Sequence, residues 1–329
     1  MTKTEQNIID CKKMYPYLIA HLKKEVSSLS NTIGPTSDID IRTYPLVVVA
    51  KLTKMFSTLW NVINIDEDYF VSNIIIRSIA DNISSLLLIY DQNDGDIRFL
   101  RHSLFLLDGI CNRLSNLIKP IKNEDVSEEE YLSSINQQEN FKNNLHGAKE
   151  HILNQIKNLD IYQTHKENID ILIKNHFNWK FKNFEVTANK INDKNNTYKW
   201  KNMYELLNMK ELEKFFSSYQ SDYVHGLSMS NVYIETNEQN MGVLICFAVA
   251  KAVFQLACRV VLFAVTRLPA SILPFEYVFT FSHTWIPPNN AFADCSSDCA
   301  AVRIFTVNYE FWHHKSICIS DYDAKNGKT

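Results

Sequence analysis

Residues 65–91 read IDEDYFVSNIIIRSIADNISSLLLIYD, and this stretch decides the fold class. Phe70, Ile74, Ile75, Ile79, Ile83, Leu86, Leu87 and Tyr90 recur at three- and four-residue steps, the period of a helix. Ile76, Leu88 and Ile89 fall outside that stripe, so little of the circumference is left for water. A helix apolar on most sides belongs inside a bundle. Asp66 is its expected N-cap, with Glu67 and Asp68 in the first turn, where free N–H groups and the helix dipole favour negative charge. The polar line that remains is Arg77, Asp81 and Ser85, each one turn from the next. It reads either as an ion pair at the edge of the core or as a half-buried pair completed by a group on another helix. The structural reading is the commoner one.

The chain around this helix has 329 residues, enough for one large domain or two. Seven Gly and eight Pro in that length point to long helices rather than many tight turns. The net charge of −3 gives no global pull toward nucleic acid or an anionic membrane. Residues 1–13, MTKTEQNIIDCKK, lack a basic-then-apolar signal pattern, and the seven Cys follow no regular framework. Reduced thiols and a cytoplasmic location are therefore expected.

Working outward, residues 4–29 form an expected first helix, with Pro16 in mid-pattern predicting a kink or a split. Thr43 is the expected N-cap of the next helix, with Pro45 in its first turn. After the turn DQNDGD, residues 97–118 are helical in pattern and Pro120 stops them. Ser127 and Glu130 match a capping box, so the acidic run SEEE is a helix start and not a metal site. Weaker, more polar helical patterns cover 128–158 and 161–178.

Residues 179–201, WKFKNFEVTANKINDKNNTYKWK, break the pattern and interleave six Lys with aromatic residues. Aromatic platforms beside ammonium groups suit single-stranded nucleic acid, with Lys180, Lys182, Lys199, Trp200 and Lys201 as the binding residues. The plainer reading is a solvated loop or hairpin whose aromatics pack back on the body. Residues 241–267, MGVLICFAVAKAVFQLACRVVLFAVTR, are long enough to span a bilayer. Lys251, Gln255 and Arg259 form one polar line along them, which favours a buried amphipathic helix over membrane insertion. After Pro269, FEYVFTF and VRIFTVNYEFW read as strands.

Three constellations could carry chemistry. Cys295-x3-Cys299 with His314 and Cys318 offers three thiolates and an imidazole, a zinc set against the plainer reading of free thiols. Arg77 and Asp81 with Asp222 and His225 would suit hydrolysis, with His225 as base and Arg77 holding phosphate. The plain reading of His225, just before Gly226, is a helix C-terminal cap. Arg98-x3-His102 and His146-x4-His151 are weaker pairs. No phosphate loop, nucleophile elbow, dinucleotide fingerprint or HExxH motif is present.

Arg77-x3-Asp81-Asn82, with Tyr223-Val224-His225-Gly226 after Ser218 and Ser221, resembles a family of uncharacterised bacterial all-helical proteins. These carry an R-x3-[E/D] helix and a later S-x-x-[VI]-H helix. Trp200-x3-Tyr204 fits the pattern, and the resemblance covers about residues 45–235. It implies a helical bundle in which Arg77, Asp81 and His225 share a polar cluster, and a phage-defence or mobile-element setting. A more distant similarity to the HEPN superfamily of helical ribonucleases is marked by a departure. Their R-x4–6-H motif is missing, since Arg98 to His102 is one residue short.

The expected architecture is an all-α helical bundle of about six to eight helices over residues 1–267, with a small β-containing tail over 268–329. The expected function is a cytoplasmic binding or scaffold module, with protein or RNA as partner. The alternatives are a metal-independent ribonuclease using His225 with Arg77 and Asp81, and a nucleic-acid binder working through 179–201. No cofactor is expected apart from zinc in the tail.

Overall fold

The computed structural model describes residues 3–33, 40–91 and 94–206, together with Lys214, Ser218 and Ser221. The apolar stretch 241–267 and the β-like tail lie outside the described residues. Within them the protein is all-α, with α1 (Lys3–Ile33), α2 (Tyr44–Asn61), α3 (Tyr69–Tyr90), α4 (Gly95–Ser115), α5 (Glu128–Lys157), α6 (Asp160–Thr164), α7 (Lys166–Lys174) and α8 (Trp200–Glu205). The described chain divides into two compact units, one of residues 3–33 and 46–83, the other of 40–45, 84–91 and 94–206.

The first unit buries Tyr15, Ile19, Leu22, Val26 and Leu29 of α1, Val49, Leu52, Phe56 and Leu59 of α2, and Ile76, Ile79 and Ile83 of α3. Tyr15 ties α1 to α2, stacking on Trp60 at 5.1 Å and donating its hydroxyl hydrogen bond to the Phe56 carbonyl at 3.3 Å. Pro16 lies inside α1 and does not split it. A proline in a helix interior costs about 3 kcal/mol. The buried row that begins at Tyr15 and continues past Pro16 offsets that cost.

The start of α3 differs from the sequence reading. Residues Val62–Asp66 carry on from α2 as a π-turn, so Asp66 ends that turn instead of capping α3. Glu67 follows in the left-handed region at φ 50° and reverses the chain. Asp68 is then the cap, its carboxylate accepting from the Val71 amide at 2.9 Å. By length and composition, α2 with its π-turn and α3 are each apolar enough to cross a membrane. Half or more of each apolar window is buried inside the protein, as in core helices that pass the same test.

In the second unit the last two turns of α3 are followed by α4, capped by Asp94, whose carboxylate accepts from the amides of Asp96 and Ile97. α4 ends at Ser115, short of Ile118, because the Asn116 side chain donates to the Asn112 carbonyl at 2.9 Å and closes the last turn. α5 opens with the expected capping box. The Ser127 hydroxyl accepts from the Glu130 amide, and the Glu130 carboxylate accepts from the Ser127 amide at 3.0 Å. The pattern over 161–178 proves to be two short helices, α6 and α7, with a break at His165.

Candidate functional site

Arg77 and Asp81 form the ion pair that their spacing predicts, Nε to Oδ1 at 3.0 Å, both side chains partly buried. The pair belongs to the first unit. Asp222 and His225, the other half of that constellation, lie outside the described residues, as do Cys295, Cys299, His314 and Cys318 of the zinc set. Among the described residues, no group of three or more His, Cys, Asp and Glu could hold a metal ion.

The segment 179–201 packs back on the second unit. Trp179, Phe181 and Phe184 are buried, so their ring faces are not open to a nucleic-acid base. Trp179 meets Phe105 of α4 edge-on at 5.0 Å. A single antiparallel bridge joins Phe181 to Thr197. Asparagine side chains stand in for the rest of a sheet. Asn196 donates to the carbonyls of Asn183 and Ile191 at 3.0 and 2.9 Å, and Asn168 to those of Phe184 and Val186 at 3.1 and 2.9 Å. The asparagines that give this stretch a solvated look are what hold its backbone. Lys180, Lys182, Lys199, Trp200 and Lys201 remain at least partly accessible, with the Lys180 ammonium 4.6 Å from the Trp200 ring centre.

A polar group that the sequence did not single out holds this segment to the helices. Arg101, 3% exposed, donates from Nη1 to the Leu88 carbonyl at 2.7 Å and from Nη2 to the Phe181 carbonyl at 2.8 Å. Its guanidinium also lies 4.5 Å from the Phe181 ring centre. Leu88 is in the last turn of α3, where carbonyls lack helical partners, so Arg101 caps one helix and clamps a loop. Burial pushes its pKa down to about 10, which leaves it charged at neutral pH. The one signal in the sequence is position. Arg101 stands at helical spacing between Ile97 and Leu104, on the apolar side of α4.

Beside it, His102 is 1% exposed and its Nδ1 pairs with the Tyr90 hydroxyl at 2.9 Å, with Tyr44 edge-on at 5.1 Å. A histidine sealed to that degree offers no ring nitrogen to a solute. Burial raises the Tyr90 pKa, with the nearby Tyr44 and Asp40 charges adding to it. Because the folded value lies above the unfolded one, this contribution to stability is complete below about pH 10 and is lost as pH rises through the folded value. Tyr90→Phe should cost about 1 kcal/mol at neutral pH and make the alkaline loss of stability shallower, read by denaturant titration at pH 8 and at pH 11.

The surface feature that stands out is on α5. Tyr131, Ile135, Gln138, Phe141, Leu145, Ala148, Ile152 and Ile156 form one stripe at three- and four-residue steps. Its second half is core, with Leu145, Ile152 and Ile156 buried. Its first half is not, with Ile135 at 36% and Phe141 at 45% exposure. The cause is the length of α4, which packs against α5 but ends at Ser115. The linker 116–127 runs back along α5, fastened by Gln138 to the Ile118 carbonyl and by Lys122 to Glu128. It leaves Ile118 and Ile121 each 81% exposed beside the stripe. A shallow open groove follows the other flank, lined by Glu129, Leu132, Ser133, Asn136 and Asn140.

No protein family, no curated protein and no solved structure matches the chain.

Proposed function

We propose that this protein is a helical binding module that presents the first half of α5, with the linker 116–127, as a docking face for another protein. The observation that supports this reading is the stripe from Tyr131 to Ile156. It runs without interruption from the core into solvent, so α5 carries apolar residues beyond the point at which the fold uses them. Clustered exposed apolar residues beside polar ones are characteristic of interaction sites. The described polar groups favour this reading over catalysis. Arg101 and His102 are sealed and engaged in holding backbone and ring partners, and the Arg77–Asp81 pair satisfies itself along one helix.

The test is a comparison of the two halves of the stripe. In dilute solution, where association adds nothing to stability, Ile135→Glu and Phe141→Glu should each change the unfolding free energy by no more than about 0.5 kcal/mol. Ile152→Glu, which buries an unpaired carboxylate, should unfold the second unit. Thermal melts followed by circular dichroism separate the cases. Equal losses at positions 135 and 152 would make the whole stripe core and end the docking proposal.

A further inference from the structure

Resting on the docking face just described, we infer that its occupant is a second copy of this chain, paired through α5 in antiparallel fashion about a twofold axis at Gln138. The first observation is symmetry in the pattern. From Tyr131 to Leu145 the stripe advances by four, three, three and four residues, an order that reads the same in both directions. An antiparallel copy centred on Gln138 therefore sets Tyr131 against Leu145, Ile135 against Phe141 and Gln138 against itself. A twofold interface requires this self-complementarity, and few helix faces have it. Each exposed apolar side chain then meets an apolar side chain of the copy, and the amide at the centre meets an amide.

The second observation is charge. Glu124, Asp125, Glu128, Glu129 and Glu130 cluster at the start of the segment, while Lys142, His146 and Lys149 lie at its far end. In the antiparallel pair, the acidic start of one helix faces the basic end of the other at both ends of the contact. A parallel pair would bring like charges together instead, which costs free energy and selects against that arrangement. Gly147 falls opposite Glu129 in this register, and no heavy atom lies within 4 Å of where its Cβ would be, so the helices can approach closely there.

The third observation is reach. Residues 131–145 span about 21 Å at 1.5 Å per residue, and Ile118 and Ile121 extend the apolar area along one side of the same face. A contact of this size is modest, so the pairing is reversible and depends on concentration.

Sedimentation of the full chain over a wide concentration series should show the average mass rising from 38.2 kDa toward twice that value. Phe141→Glu should hold it at the single-chain mass throughout. Gln138→Cys should give a covalent dimer on mild oxidation, because each sulfur would meet its own copy, whereas Ser133→Cys, on the opposite side of α5, should not. Three results would overturn the pairing: a single-chain mass at every concentration, a dimer that persists in Phe141→Glu, or cross-linking at 133 as readily as at 138. A monomer whose Ile135→Glu and Phe141→Glu forms melt like the parent rejects the second copy and leaves the docking face standing. Loss of melting temperature in those two variants rejects both.

Discussion

Arg101→Ala lowers the unfolding free energy of the second unit by about 3–5 kcal/mol, the largest loss expected from any single polar substitution among the described residues. Three contributions sum to it. The substitution removes two charge-assisted hydrogen bonds, at 2.7 and 2.8 Å. It strips the cation from the face of Phe181. It also leaves the carbonyls of Leu88 and Phe181 buried without a donor, the costliest of the three because a desolvated acceptor keeps its penalty. Arg101→Lys should recover only part of the loss, since one ammonium cannot reach two carbonyls as the guanidinium fork does. Urea unfolding of the three proteins checks this. A cost below about 1 kcal/mol for the alanine variant would mean that the buried Arg is a tolerated burden and not a clamp.

Phe181→Ala is the second large effect, at about 3–5 kcal/mol, the usual range for deleting a fully buried phenylalanine ring. Its ring contacts Phe184 at 5.6 Å as well as Arg101. The two substitutions should therefore not add. Once Phe181 is alanine, Arg101 has already lost its ring partner, and a double-mutant cycle should give a coupling of about 1 kcal/mol. The result also bears on the Lys- and aromatic-rich segment. If Phe181→Ala weakens the fold to this extent, the ring serves packing. If it leaves stability intact but weakens binding to single-stranded RNA, the ring faces a ligand and the nucleic-acid reading regains its platform.

The features legible in the sequence were those made within about one turn of helix. The Ser127–Glu130 capping box and the Arg77–Asp81 ion pair each join residues three or four apart on one helix, and both are present as their spacing predicts. The all-α class followed from periodicity over whole segments, which survives local error. Boundaries were less secure because a competing local structure can displace them. A π-turn shifted the cap of α3 from Asp66 to Asp68, and an asparagine amide ended α4 before Ile118. Pro16 carried a real local penalty, but a buried row on both sides of it outweighed that penalty in the folded unit.

By itself, then, the sequence determined the helical class, the polar line on α3, the start of α5 and the two competing roles of segment 179–201. Tertiary structure alone decided which of those roles the aromatics take, because the deciding partner, Arg101, is 80 residues from Phe181 along the chain. It alone decided where the stripe on α5 stops being core as well. The stripe is one continuous pattern in the sequence, and periodicity records which residues share a face but not what covers that face. The cover is set by the length of α4 and the path of the linker after it, and these leave Ile135 and Phe141 in water while Ile152 and Ile156 are sealed.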